Sequence, residues 1–111
     1  MREAGWIDRF LLLLGMRRAV RVSGDSMLPT LSSEDVVVVK PSSRFGVGDI
    51  VIADHPFRSG VALLKRVTAI DENGRYELRG DNPAESSDSR SFGNIPREHV
   101  HGKVVCRLKR R

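Results

Sequence analysis

Apolar residues near the start of the chain recur with the period of an α-helix. At positions i, i+3, i+4 and i+7 stand Ile7, Phe10, Leu11 and Leu14. This spacing places all four side chains on one face of a helix, while Asp8 and Arg9 interrupt the apolar run. Residues 1–18 are therefore predicted to form an amphipathic helix.

The predicted helix has too few apolar residues to cross a bilayer. The uncharged run from Phe10 to Met16 has seven residues, against the ~20 that a spanning helix needs. A signal peptide would also need a longer apolar stretch, followed by a small-residue cleavage site. Two interpretations follow. The helix packs on its own core, or it lies in a membrane surface with Trp6 at the interface and Arg17 and Arg18 on lipid headgroups.

After residue 18 the pattern changes to short runs of β-branched and aliphatic residues separated by turn signals. The predicted strands are 19–22, 35–40, 49–53, 61–70, 75–79 and 99–109. The sequence "DENG" at 71–74 predicts a hairpin turn, and the polar stretch 80–94 predicts a long loop. The predicted fold class is therefore mostly β: a compact antiparallel β domain over 19–111, preceded by one short helix.

Length and composition limit the function only loosely. The 111 residues suffice for one domain with one core, and the single cysteine, Cys106, excludes an internal disulfide. The net charge of +5 permits contact with nucleic acid, anionic lipid or an acidic partner and selects none of them. Aromatic residues are only 5% of the chain, too few for an evident base-stacking platform. A basic nucleic-acid-binding β domain, with Ser26 as a helix cap, is the non-enzymatic alternative.

A serine hydroxyl stands in a turn-like stretch directly after the first predicted strand. The stretch is "SGDSMLPTL" at 23–31, and Gly24 and Pro29 on either side of Ser26 break regular structure. Serine is a weak nucleophile and needs a base that takes its proton. The side chains that could act as this base are a carboxylate, a lysine or one of the histidines His55, His99 and His101.

Lys65 stands in the middle of the most apolar predicted strand. Strand alternation places it on one face with Leu63 and Val67. A lysine beside aliphatic side chains loses hydration, which disfavours the ammonium and lowers its pKa toward the range of a base at neutral pH. The alternative is that Lys65 points to solvent, as lysine side chains usually do.

Three segments together resemble the motifs of the type I signal peptidase family of Ser/Lys peptidases. In chain order they are "SGDSMLPTL" (23–31) around the nucleophile, "LLKRV" (63–67) around the general base and "GDNPAESSDSRSFGNIP" (80–96). All three occur in the order expected for the family. The resemblance implies the β-rich catalytic fold of that family and a serine endopeptidase activity.

The same resemblance implies roles for individual residues. Ser26 would be the nucleophile and Lys65 the general base, and the backbone N–H of Ser26 would be an oxyanion donor. Ser86 would orient the lysine amine. Many bacterial relatives carry a serine two residues before the nucleophile, where this chain has Gly24. The oxyanion hole would therefore depend on backbone donors.

Other matched positions would support the site or contact the substrate. Asp88 and Arg90 match a pair that supports the site in the family. Met27 and Pro29 would shape the turn that presents the nucleophile and line the substrate cleft. The "GDN" motif at 80–82 is interpreted as loop architecture.

The short length, the "REAGW" start and the third motif resemble one subfamily, the nickel-type superoxide dismutase maturation proteases. The resemblance implies a precursor protein as the substrate, most closely the nickel superoxide dismutase precursor, whose N-terminal leader peptide is removed. The alternative is a minimal signal peptidase that cleaves exported preproteins at the membrane. No cofactor, metal or nucleic-acid partner is expected. The expected location is the cytoplasm, peripheral at the membrane where residues 1–18 contact lipid.

Overall fold

The strands begin and end close to the positions that the sequence pattern predicts, whereas the helix, predicted over residues 1–18, is shorter and covers Trp6–Leu13. The structure, a computed structural model, describes residues 1–85 and 92–110. Its elements are α1 (Trp6–Leu13), β1 (Arg18–Arg21), β2 (Val36–Pro41), β3 (Ile50–Asp54), β4 (Ala62–Ile70), β5 (Tyr76–Arg79) and β6 (Val100–Lys109). Short 3-10 helices span Pro83–Glu85 and Arg97–His99. Each strand begins and ends within one residue of its predicted range.

The strands form one six-stranded sheet in the order β1-β2-β6-β3-β4-β5, and every neighbouring pair is antiparallel. The predicted fold, mostly β with one helix near the N-terminus, is confirmed. Strand β3 lies inside the sheet between β6 and β4. Its first four residues, "IVIA", are all apolar and all buried, as expected for a strand covered on both faces.

The core consists of two clusters, and β3 contributes alternate residues to each. Val51 and Ala53 belong to one cluster, and Ile50 and Ile52 belong to the other. Because successive side chains of a strand point to opposite faces, the two clusters cover opposite faces of β3. The second cluster also holds Met27, from the segment that follows β1. This contact fixes the predicted nucleophile turn on the sheet.

The apolar stripe of α1 faces away from the core. Ile7, Phe10 and Leu14 are exposed, whereas Leu11 is half-buried. The buried side chain of the helix is Asp8. The structure therefore contradicts the interpretation in which the whole stripe packs on the core of the domain. Within residues 1–85 and 92–110, no helix is long and apolar enough to span a membrane.

Candidate active site

A cleft of about 230 Å³ opens between the end of β1, the turn that follows it, and strands β3 and β4. Its walls include apolar side chains from all three strands: Val20, Ile52 and Leu64. Ser26, Met27 and Lys65 line the same cleft. The structure thus brings together the predicted nucleophile, the predicted base and one of the two residues predicted to contact substrate.

The other predicted cleft residue, Pro29, is not among the residues that line the cleft. It is exposed, and the peptide bond that joins it to Leu28 is cis. Buried neighbours in the turn hold the chain in place on the side away from solvent, and Pro29 lies on the outer side of the turn. Pro29 therefore shapes the turn but does not line the cleft. Met27, by contrast, is fully buried beneath the cleft.

The segment that carries Ser26 folds as consecutive turns and contains no helix. Ser26 therefore does not act as a helix cap. Gly24 has a φ of 80°, a left-handed conformation that disfavours any residue with a side chain. This conformation gives a physical reason for glycine at that position. The N–H of Leu31 donates to the carbonyl of Met27 at 3.0 Å, and both side chains are fully buried. The turn is thus held from below, and Ser26 lies half-buried at the cleft.

Lys65 lies inside the protein and does not point to solvent. Its exposed fraction is 5%. In the β3-β4 pair it lies opposite Val51, and Val67 follows it on the same face. Both valines are fully buried. The side chain of Lys65 thus lies beside buried aliphatic residues and is largely shielded from water.

Asp81 ties the turn of the predicted nucleophile to the strand of the predicted base. Its carboxylate accepts hydrogen bonds from Nε and Nη2 of Arg66, each 2.9 Å long. It also accepts a hydrogen bond from the hydroxyl of Thr30. Arg66 follows Lys65 in β4, and Thr30 belongs to the turn. The hydrogen bonds from Arg66, more than that from Thr30, hold the pKa of Asp81 below its usual range, so the pair is charged at neutral pH.

Asn82 binds the backbone of the same turn. Its N–H donates to the carbonyl of Ser26 at 2.8 Å, and its side-chain amide donates to the carbonyl of Asp25 at 3.1 Å. The "GDN" motif is therefore more than loop architecture. Asp81 and Asn82 together position the chain on both sides of Ser26. This role was missed from the sequence, where the motif was visible only as the beginning of the third segment.

Two strand edges border the cleft. Strand β1 is the first strand in the sheet order, so one of its edges has no neighbour in the described sheet. Strand β4 pairs with β3 from Ala62 onward, but its pairing with β5 begins only at Arg66. In the part of the chain that the structure describes, β1 and residues 62–64 of β4 thus each keep one edge available to a peptide backbone.

The three histidines lie outside the described lining of the cleft. Nε2 of His101 binds the carboxylate of Asp54 at 2.8 Å. Nδ1 of His55 accepts a hydrogen bond from the N–H of Phe57 at 3.0 Å. His99 ends a 3-10 helix before β6. These placements favour Lys65 over a histidine as the partner of the serine.

Three predicted supporting residues lie outside the described residues. Ser86, Asp88 and Arg90 fall within 86–91, which the described ranges leave out. Their roles remain predictions from the motif resemblance.

A sequence profile described as Peptidase S24-like matches residues 14–105, which include Ser26, Lys65 and the strands around the cleft. The chain belongs to the peptidase S24-like family. This S24-like chain spans about two thirds of the length of the curated relatives that it matches.

Three such relatives illustrate the similarity. Mitochondrial inner membrane protease subunit 1 of Xenopus tropicalis is 31% identical over 109 residues, covering 78% of this chain and 65% of the relative. The protein of the same name from Schizosaccharomyces pombe is 33% identical over 109 residues, covering 78% of this chain and 69% of the relative. Mitochondrial ATP-independent inner membrane protease subunit 1a of Arabidopsis thaliana is 27% identical over 127 residues, covering 91% and 73%. These names do not support the expected likeness to nickel superoxide dismutase maturation proteases.

Proposed function

We propose that this S24-like chain is a serine endopeptidase in which Ser26 is the nucleophile and Lys65 the general base. The observation that carries the proposal is that both side chains line one cleft although they come from different parts of the chain. Burial of the lysine and the charged pair beside it support the same assignment. The relatives in this family are named as proteases.

In the proposed mechanism, the neutral amine of Lys65 accepts the proton of the Ser26 hydroxyl as Oγ attacks the carbonyl carbon of the substrate. The backbone N–H of Ser26 stabilises the oxyanion that develops. The ammonium then gives its proton to the leaving amine, and a water molecule activated by the same lysine hydrolyses the acyl-enzyme. Ser86 orients the amine, and Asp88 and Arg90 support the site; these roles rest on the motif resemblance.

The substrate segment is proposed to bind as an additional strand. The available edges of β1 and β4 both border the cleft, so an extended peptide can form main-chain hydrogen bonds with either of them. The side chains that enter the cleft would meet Val20, Ile52 and Leu64. We therefore expect apolar residues in the substrate next to the bond that is cut.

The proposed substrate is a precursor protein whose N-terminal leader is removed at a membrane. The names of the relatives refer to an inner membrane protease, which favours the signal-peptidase alternative over the nickel superoxide dismutase precursor. They also favour a membrane-associated location over the plain cytoplasm. The dismutase precursor is the second candidate, because the "REAGW" start and the third motif resemble that subfamily.

Incubation of the purified chain with two purified, unprocessed precursors tests the substrate class. One precursor is an exported protein that carries its leader, and the other is a nickel superoxide dismutase precursor. Mass spectrometry of the product identifies each new N-terminus. We expect the exported precursor to be trimmed by the wild type and left whole by Ser26→Ala. If only the dismutase precursor is trimmed, the substrate assignment is wrong. If neither precursor is cut, the proposed function itself is contradicted.

Asp81→Asn is expected to reduce both stability and cleavage. The amide keeps the shape of the carboxylate but loses its charge, so the hydrogen bonds from Arg66 weaken by about 1–3 kcal/mol in total. Looser positioning of the Ser26 turn should lower the cleavage rate roughly 10–100-fold. Folding lowers the pKa of Asp81. The stabilisation that its carboxylate provides is therefore complete above the pKa of ~3.9 in the unfolded chain, and it is lost as pH falls through the lower pKa of the folded protein. Urea unfolding should therefore give a larger free energy of unfolding for the wild type than for Asp81→Asn near neutral pH, and this difference should shrink in acid.

Asp71→Asn is the matched control. Asp71 accepts hydrogen bonds from the N–H groups of Asn73 and Arg75 and from the side chain of Asn94. These contacts, with that of Asn94 the largest cause, also lower its pKa, but they stabilise the β4-β5 turn and not the cleft. Asp71→Asn should lose stability while each folded molecule keeps the wild-type cleavage rate. An equal loss of rate in both variants would show that Asp81 has no specific effect on the site.

A further inference from the structure

The outer side of α1 carries a set of exposed apolar side chains, called here the outer face. Its members are Trp6, Ile7, Phe10, Leu13, Leu14 and Met16. The exposed fraction is 77% for Trp6 and 83% for Leu13. With 3.6 residues per turn, the members from Trp6 to Leu14 fall within an arc of about 120°. A continuous apolar patch of this kind on a protein surface indicates an interaction site.

The orientation of α1 is fixed by polar contacts on its inner side. Asp8 accepts hydrogen bonds from the N–H of Gly5 and from Nη1 of Arg2, both at 2.8 Å. Before the helix, the chain runs beside β6: the N–H of Ala4 donates to the carbonyl of Arg107, and the N–H of Arg107 donates to the carbonyl of Arg2. The helix therefore cannot roll its outer face inward without breaking these contacts.

Cationic residues border the outer face. Arg9 and Arg18 are exposed, and Arg17 is half-buried. Asp8, by contrast, is buried on the inner side of the helix and bound to Arg2. An apolar helix face flanked by arginines fits the surface of a bilayer that contains anionic lipids. A symmetric pair of copies would instead bring the same arginines together.

We infer that the outer face of α1 docks on the surface of an anionic bilayer, with the helix lying parallel to the membrane plane. Strand β1 follows almost directly, and Val20 at the cleft stands four positions after Met16. This length of chain spans at most about 14 Å. Docking would thus bring the cleft close to the lipid headgroups. Docking would present the cleft to precursors at the membrane, and this role of docking rests on the proposed function.

Fluorescence of Trp6 tests the inference directly, since it is the single tryptophan of the chain. The full chain is titrated with phosphatidylcholine vesicles that either contain phosphatidylglycerol or lack it. We expect the emission to shift to shorter wavelength with the anionic vesicles, and the apparent affinity to fall about tenfold or more without the anionic lipid or in high salt. Leu13→Asp should weaken binding by a similar factor while the circular dichroism spectrum and unfolding curve stay unchanged.

Val47→Asp is the matched control, because Val47 is 66% exposed but lies outside α1. It should bind vesicles as the wild type does. An emission that stays constant with anionic vesicles, or an equal loss of binding in both variants, overturns the inference. A shift that appears on raising the protein concentration without lipid would assign the face to self-association instead. Lipid binding without cleavage contradicts only the proposed function, and cleavage without lipid binding contradicts only the docking.

Discussion

Replacing Ser26 with alanine is expected to abolish cleavage and to leave the fold intact. The proposed mechanism has no nucleophile without this hydroxyl, so the rate should fall by a factor on the order of 10³ or more. Ser26 is half-buried and does not begin a helix, so the free energy of unfolding should change by only about 0.5 kcal/mol. Cleavage is measured by mass spectrometry of the product and stability by urea unfolding.

Ser23→Ala is the matched control for this prediction. Ser23 lines the same cleft and carries the same hydroxyl, but it stands outside the position that the motif assigns to the nucleophile. It should retain most of the wild-type rate. A folded Ser26→Ala variant that still cleaves well would remove Ser26 from the nucleophile's role. An equal loss of cleavage in Ser23→Ala would show that the effect is not specific to Ser26.

Lys65→Arg should be as inactive as Ser26→Ala. Arginine keeps the positive charge, but a guanidinium stays protonated at any usable pH and cannot accept the proton of Ser26. The proposed base must be neutral to accept that proton, so wild-type activity should rise with pH. The measurement is kcat/KM against pH for the wild type and the variant.

Lys103→Arg controls for the lysine replacement itself. Lys103 pairs with Val51 from the β6 side, while Lys65 pairs with it from the β4 side. The two lysines occupy comparable strand positions because both pair with Val51. Lys103 is half-buried. Lys103→Arg should keep the wild-type rate and pH profile, as should the alanine variants of the three histidines. An active Lys65→Arg, or a folded but inactive histidine variant, would contradict the dyad.

The strands could be predicted closely because their signals are local. Runs such as "VVVV" before Lys40 and "IVIA" from Ile50 combine β-branched residues with nearby turn signals. The apolar residues that mark each strand in the sequence are also the residues that become buried when the sheet forms. The roles of Ser26 and Lys65 stay predictions from the motif resemblance; the structure adds that both side chains line one cleft.

The contacts that join those motifs could not be predicted in the same way. Asp81 binds Thr30 across 51 positions and Arg66 across 15, and no sequence period links residues so far apart. The orientation of α1 also depends on such contacts. Apolar residues stand on more than one side of the helix, and the bonds between Asp8 and Arg2 help to decide which side faces inward.

Acid-quenched samples of the reaction give the most direct test of the dyad. Wild type and Lys65→Arg are mixed with precursor, stopped in acid during the first turnover, and mapped by mass spectrometry for a peptide acyl group on the enzyme. The Ser/Lys dyad predicts an acyl adduct on Ser26 in the wild type and none above background in Lys65→Arg. An adduct on another residue, or an equal adduct on Ser26 in the arginine variant, would contradict it.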